Sequence, residues 1–326
     1  MSRISIVVPV YHNARSLPRL LDAFRALAAR HPDDAFQFVF VDDGSGDDSY
    51  PVLLELARGE PRVKVVKLSR NFGSNPAILA GLEQATGDAV VAIAADLQDP
   101  PELIDDMLAL WRQGRKVVLA ARRQRDDPWP GALVADAFYA LFRRFAVATM
   151  PKRGFDFFLV DRQVCDLING MDEKNVYLMG LILWLGFEPA TIHYDRRGRE
   201  ERYGRSMWSL AKKVKYFIDA FVAFSYLPVR AAALMGIVLS AGGVLYAAVV
   251  VLTRFLFAYE APGWASIMVV LLVVSGAQLL TLGILGEYVW RSLDEARPRP
   301  RFIVENIVEG SETVTAGDGS TSEEPG

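Results

Sequence analysis

A chain of 326 residues that is 52% hydrophobic is long enough for one large globular domain plus a distinctly apolar part. A formal net charge of -3 argues against a nucleic-acid partner, and the single cysteine, Cys165, excludes an intrachain disulfide and suits a reducing compartment. His12, His31 and His193 stand far apart without zinc-like spacing and are assigned no metal, and Cys165 reads as a half-buried structural thiol.

Short apolar runs alternate with amphipathic stretches from the N-terminus onward. Ile4 to Val10, Phe36 to Val41, Val63 to Leu68, Ala89 to Ala94 and Lys116 to Ala120 read as strands; the first is too short an apolar run for a signal peptide, so the domain is expected in the cytoplasm. Helix starts are legible at Ser16, Ser74 and Pro100-Pro101-Glu102, where a capping side chain or an early proline precedes helical periodicity. The alternation predicts a doubly wound α/β sheet. Such sheets bind ligands at the carboxyl ends of their strands, so chemistry is expected in the loops after Val10, Val41 and Ala95.

Within Ala132 to Val147, Phe138, Leu141, Phe142 and Phe145 share one helical face, with Arg143 and Arg144 beside them. Within Met207 to Phe224, Leu210, Val214, Phe217, Ile218 and Phe221 share a face, and Lys212, Lys213 and Lys215 lie near the other. Core-facing helices have the same pattern, but basic residues and aromatics just before a spanning segment favour the membrane interface, more so for the second stretch. Ala231 to Thr253 and Ala261 to Gly286 carry no Asp, Glu, Lys or Arg, and each exceeds the ~18 residues that mark a spanning helix. Lys212, Lys213, Lys215 and Arg230 precede the first span and Arg291, Arg297, Arg299 and Arg301 follow the second, whereas the connecting loop offers only Arg254 and Glu260. By the positive-inside rule both ends are cytoplasmic. The expected division is an α/β domain over 1–205, an amphipathic interface helix over 206–228 and two transmembrane helices with a short outer loop over 229–290. A cytoplasmic segment over 291–309, with a strand within Arg301 to Val308, and a disordered tail over 310–326 complete it.

The loop Val41-Asp42-Asp43-Gly44-Ser45-Gly46-Asp47 sets two carboxylates at a strand end. Asp42 and Asp43 can there accept hydrogen bonds from a nucleotide's base and ribose while Gly44 permits a tight turn, although ordinary turn chemistry uses the same residues. The third glycine of a dinucleotide fingerprint is missing and the loop follows the wrong strand, which argues against an oxidoreductase. In Ala94-Ala95-Asp96-Leu97-Gln98-Asp99-Pro100-Pro101-Glu102, an extended stretch would let Asp96 and Gln98 converge on a hard cation bridging two phosphates. Alternatively, Asp96 and Asp99 cap the helix opening at Pro100.

Val8-Pro9-Val10-Tyr11, Val41-Asp42-Asp43-Gly44-Ser45 and Asp96-Leu97-Gln98-Asp99-Pro100-Pro101-Glu102, in this order, resemble glycosyltransferase family 2. Within it the chain resembles the polyprenyl-phosphate glycosyltransferases, the group of dolichyl-phosphate mannose synthases and bactoprenol glucosyltransferases. Asn71-Phe72-Gly73, Gly154-Phe155-Asp156-Phe157-Phe158-Leu159-Val160-Asp161-Arg162 and Arg202-Tyr203-Gly204-Arg205-Ser206-Met207-Trp208 extend the likeness over roughly residues 3 to 300. The resemblance implies a GT-A (Rossmann-like) fold, a divalent cation (Mg2+ or Mn2+) and inverting transfer of a hexose from a nucleotide-diphosphate sugar to a polyprenyl phosphate. UDP-glucose or a related UDP-sugar, undecaprenyl phosphate and the cytoplasmic membrane face are the particulars it suggests.

On the same basis Pro9, Tyr11, Asp42 and Asp43 are expected to hold the nucleoside, Asp96 and Gln98 the metal and diphosphate, and Arg122 phosphate. Arg202 and Ser206 are expected to bind the lipid phosphate, a task suited to a guanidinium and a hydroxyl. Asp156 either orients an acceptor or sugar hydroxyl or is structural. The implied partners are the nucleotide sugar, polyprenyl phosphate and membrane lipids, with no nucleic acid; self-association into a homo-oligomer is left open. Two positions depart from the family pattern. Ala94 replaces the first acid of Asp-x-Asp, which leaves a cation fewer protein ligands, and Met207 replaces a frequent lysine, a contact then missing or supplied by Arg205 or Lys212. A processive polysaccharide synthase would carry a Gln-x-x-Arg-Trp block and more spans, and a non-catalytic nucleotide-sugar sensor would bind without forming product.

Overall fold

The computed structural model describes residues 1–123, 140, 143–144, 149–151, 154–174, 177–195, 227–257 and 263–311. Strands β1 (Arg3–Val10), β2 (Ala35–Asp42), β3 (Val63–Leu68), β4 (Ala89–Ala92) and β5 (Val117–Arg122) fall where the apolar runs predict them. Helices α1 (Leu17–Arg30), α2 (Ser49–Arg58), α3 (Ser74–Gln84) and α4 (Leu103–Arg112) connect them. Then come β6 (Phe157–Asp161), α5 (Arg162–Asn169), α6 (Leu178–Trp184), β7 (Ala190–Tyr194), the long helices α7 (Leu227–Phe257) and α8 (Trp264–Ala296), and β8 (Val304–Glu309).

All these strands form one eight-stranded sheet in the order β7-β5-β6-β4-β1-β2-β3-β8. β1 to β5 and β7 run parallel; β6 lies antiparallel between β4 and β5, and β8 runs antiparallel along the outer edge of β3. The expected doubly wound sheet is therefore mixed, and β6 and β7 are strands the apolar runs did not announce.

Alternation along each strand divides the core. Ile4, Ile6, Val8 and Val10 pack with residues of α1, α2 and α4 on one face, while Val7, Val39, Val41 and Val66 pack with residues of α3, α5 and α6 on the other. Gly81 lets α3 come down onto β1, because a Cβ there would stand 2.2 Å from Val7 Cγ1. Cys165 belongs to this core and is fully rather than half buried; burial pushes its thiol up to about 11, which makes it unreactive. Capping is less side-chain based than the sequence suggests. Ser16 precedes α1 but its Oγ donates to the Asn13 carbonyl (3.0 Å), Gly73 precedes α3, and Glu102, not Asp96 or Asp99, precedes α4.

The apolar runs of α7 and α8, Val229–Thr253 and Ile267–Ala296, leave their side chains largely exposed. Helices of a soluble core would be covered. At ~1.5 Å per residue each run is longer than the ~30 Å of bilayer hydrocarbon, and the chain is membrane-associated on this account. The amphipathic stretch Met207 to Phe224 lies outside the described residues, as does Ala132 to Val147 apart from positions 140, 143 and 144.

After α8 the chain returns to the sheet. β8 begins at Val304 rather than Arg301, pairs Val304 with Leu68 and Glu309 with Lys64, and carries an irregularity between Lys67 and Leu68. Gly310 and Ser311, expected to open the tail, still bond to the domain: their N–H groups donate to the carbonyls of Val63 (2.7 Å) and Ala57 (3.1 Å).

Candidate active site

The parallel strands end on one edge of the sheet, and β6, running against them, begins there. β1 to β2 to β3 steps one way from β1, whereas β4 lies on its other side, so the connections diverge and leave a crevice between the ends of β1 and β4. The described residues singled out above all stand on this edge. Pro9 lies near the end of β1 with Tyr11 just beyond, Asp42 closes β2 with Asp43 after it, Asp96 and Gln98 follow β4, Arg122 closes β5, and Asp156 precedes β6. Arg202 and Ser206 lie outside the described residues.

The loop after β1 is fastened to the loop after β2. His12, with φ of 55°, stacks on Tyr11 at 4.3 Å between centroids and accepts a hydrogen bond at Nε2 from the Gly46 N–H (3.0 Å). The N–H groups of His12 and Asn13 donate to Ser45 Oγ (3.2 Å) and Ser49 Oγ (2.9 Å). His12 thus fastens the loops after β1 and β2 to each other, a role that its place in sequence did not signal.

The paired carboxylates differ. Asp43 is buried and accepts from the N–H groups of Phe72 (2.7 Å) and Gly73 (2.9 Å), one on each oxygen, which locks the β2 loop onto Asn71-Phe72-Gly73. Asp42 accepts from Ser45, through its hydroxyl and through a long bond from its N–H to Oδ2 (3.4 Å), and its Oδ1 is buried with no hydrogen-bond partner. A buried carboxylate oxygen without a donor is costly. Burial pushes the Asp42 carboxyl up; it pushes that of Asp43 up to about 6.

That shift makes a sign-specific prediction. Asp43 binds its proton more tightly folded than unfolded, so its burial penalty is absent below about pH 4 and complete above about pH 6. Stability is expected to fall by up to about 3 kcal/mol as pH rises through that window, and Asp43→Asn to flatten that part of the profile. Thermal midpoints of both proteins from pH 3.8 to 7 measure it; parallel profiles would remove Asp43 as the source.

After β4 the chain does not stay extended. Leu97 has φ of 58°, and the Gln98 N–H turns back to donate to Asp96 Oδ1 (3.3 Å). The expectation of two side chains aligned along an extended run is corrected accordingly: a left-handed residue between them sets their directions. Leu97 and His12 are the non-glycine residues with positive φ among the described residues, and both sit in ligand-edge loops, where strain of this kind gathers at functional sites. Among the described residues no three His, Cys, Asp or Glu side chains converge as a ready-made metal cage. Asp96 and Gln98 nevertheless fit a hard cation of the Mg2+ kind, which takes one or two protein oxygens and fills its other positions with phosphate and water.

The other half of the edge is a network that sequence reading caught only in part. Arg122 Nη2 donates to Asp156 Oδ2 (2.6 Å), and Tyr194, at the end of β7, donates its hydroxyl to buried Asp99. Burial works against the Arg122 charge, but Asp156 and Asp99 outweigh it and hold its pKa above the ordinary value. Burial and Asp99 likewise raise the Tyr194 phenol. Asp99 therefore ties the β4 loop to β5 and β7 rather than capping α4; no local pattern links it to a tyrosine 95 positions away. Tyr194→Phe is expected to lower kcat/KM for the donor about tenfold, the worth of one hydrogen bond to a charged group. Unchanged kinetics would mean that Asp156 alone positions Arg122.

A family model described as glycosyl transferase family 2 matches residues 5–166. An uncharacterized glycosyltransferase of Bacillus subtilis (strain 168) is 38% identical over 302 residues, 92% of this chain and 93% of the relative. A bactoprenol glucosyl transferase of Shigella phage SfV is 32% identical over 309 residues, 93% and 98% of the two chains. An undecaprenyl-phosphate 4-deoxy-4-formamido-L-arabinose transferase of Pseudomonas savastanoi pv. phaseolicola (strain 1448A / Race 6) is 33% identical over 330 residues, 99% and 96%. In fold, the chain is similar to a mannosyltransferase from Pyrobaculum calidifontis solved in complex with GDP-Man and Mn2+, with a TM-score of 0.50 and 16% identity over 86% of this chain and 87% of that one. With identity above 30% sustained over more than nine-tenths of the chain, the chain belongs to glycosyltransferase family 2 as an enzyme of GT-A fold.

Proposed function

We propose that this glycosyltransferase transfers a hexose, with inversion, from a nucleotide-diphosphate sugar to a polyprenyl phosphate at the cytoplasmic face of a membrane. UDP-glucose or a related UDP-sugar and undecaprenyl phosphate are the substrates that the bactoprenol and undecaprenyl-phosphate relatives favour. One observation carries the reading: α8 is followed after residues 297–303 by β8, whose first residue pairs with Leu68 at the carboxyl end of β3. The chain thus returns from its apolar helix to the ligand edge of the sheet, which supports a crevice that opens toward an anionic lipid headgroup.

In this reading Pro9, Tyr11 and Asp42 hold the nucleoside. Asp43 acts through the loop it fastens. Asp96 and Gln98 would hold Mg2+ or Mn2+, which neutralises the departing diphosphate, and Arg122, steadied by Asp156 and Asp99, adds a fixed positive charge for phosphate. The acceptor is a phosphate monoester, largely ionised near neutral pH because its second pKa is about 6, so alignment matters more than a general base. Arg202 and Ser206 would receive it, with the interface helix over 206–228 lying on the bilayer and both termini in the cytoplasm.

Purified enzyme incubated with radiolabelled nucleotide sugars and undecaprenyl phosphate should deposit label in an organic-extractable lipid-linked monosaccharide. Insoluble polymer would identify a processive synthase, and donor binding without product a sensor.

A further inference from the structure

The membrane helix meets the domain at two basic side chains that none of the roles above uses. α8 ends at Ala296, where the helical ladder runs out and the Arg297 N–H donates to the Asp294 carbonyl (3.3 Å). Lys174, from the segment between α5 and α6, donates Nζ to the carbonyls of Asp294 (3.0 Å) and Glu295 (2.7 Å), and its backbone N–H donates to the Glu295 carboxylate (3.2 Å). A cation on the negative end of a helix dipole is stabilising there. Arg301, in the segment leading to β8, is 9% exposed; it donates Nη1 to the Met171 carbonyl (2.6 Å) and Nη2 to Glu83 on α3 (3.1 Å).

These contacts close a small frame. Residues 171–174 grip the end of α8 through Lys174 and the following segment through Arg301, while Phe302 and Val304 pack on the same core face as α3 and α6. The Ser69 N–H donates to the Ile303 carbonyl (3.0 Å), so the ladder to β3 starts at once. A flexible linker would let the domain swing over the bilayer; this one is bound on both sides.

We propose that Lys174 and Arg301 are positioning residues that fix the height and tilt of the ligand edge above the membrane, and so set access to an acceptor whose phosphate is confined to the bilayer surface. The inference rests on the polyprenyl-phosphate reading. It requires that loosening the frame impair transfer to an embedded lipid while sparing transfer to an acceptor that diffuses freely, since the hydrogen bonds of both side chains go to α8, Met171 and Glu83 rather than to the residues placed at the crevice.

The test compares full-length wild type with Lys174→Ala, Arg301→Ala and Arg301→Lys. Two acceptors are used: undecaprenyl phosphate in phospholipid vesicles, and geranyl phosphate in solution. Because a displacement of about 1 Å can cost ~100-fold in rate, the alanine variants are expected to lose about tenfold or more in kcat/KM on vesicles, chiefly through acceptor KM, and less than about twofold on geranyl phosphate. Arg301→Lys, which keeps the charge and one hydrogen bond, should recover part of the vesicle rate. Equal losses on both acceptors, or none on either, overturn the inference and leave the polyprenyl-phosphate reading standing. Wild type that uses neither acceptor overturns that reading, and the positioning role with it.

Discussion

Replacing Asp96 by asparagine is expected to reduce sugar transfer by about 100-fold or more while leaving membrane insertion intact, the size of loss seen when one group that stabilises developing charge is removed. The substitution is nearly isosteric, and the asparagine carbonyl can still accept the Gln98 N–H that Asp96 Oδ1 accepts at 3.3 Å, so the turn at Leu97 survives. What disappears is the negative charge. Ala94 stands in the preceding acidic position, and among the described residues no three acidic, cysteine or histidine side chains converge to take over a cation. The measurement pairs label transfer into extracted lipid with the amount of protein in the membrane fraction. Near-normal transfer by the variant would remove Asp96 from the metal site.

Gly44→Ala is expected to damage both stability and donor binding. Gly44 has φ of 65°, and a Cβ there would stand 2.5 Å from the carbonyl carbon of Arg70 and 2.6 Å from the nitrogen of Asn71. Both are backbone atoms that cannot rotate aside, so the loop after β2 must lift off the segment that Asp43 grips. Left-handed backbone costs about 1–2 kcal/mol for a residue with a Cβ, and overpacking typically adds about 1–3 kcal/mol. Gly114→Ala is the control: its φ is 93°, but nothing lies within 4 Å of the added methyl, so only the backbone cost applies. Thermal unfolding in detergent should therefore rank wild type, Gly114→Ala and Gly44→Ala in falling order, and UDP titration should show weakened binding for Gly44→Ala alone. Equal shifts for the two variants would mean that the loop yields without cost.

The parts of the fold that depend on local pattern were legible. β1 to β5 announce themselves because buried parallel strands are continuous apolar runs, and the long apolar helices do so because no charge falls within Ala231 to Thr253 or Ala261 to Gly286. β7 did not, because alternate residues such as Thr191 and His193 are exposed and five residues give little signal; β6 sits in a segment read as a motif, not as a strand. At the site, carboxylates at strand ends were visible in sequence, but their divergence was not. Asp43 spends both oxygens on backbone groups 29 and 30 positions away, whereas Asp42 keeps one oxygen without a partner. The same limit hid Tyr194, whose partner Asp99 looks like a helix cap until long-range topology brings β7 alongside β5.

That β8 reaches β3 from a position 238 residues downstream has a consequence for how the protein is made. A ribosome delivers the N-terminal strands long before the last one, with both greasy helices synthesised in between, so β3 waits with one side unpaired until β8 has been made. An open strand edge is prone to join a neighbouring chain. Biogenesis is thereby ordered: both long apolar helices must be made before the α/β domain can finish its sheet.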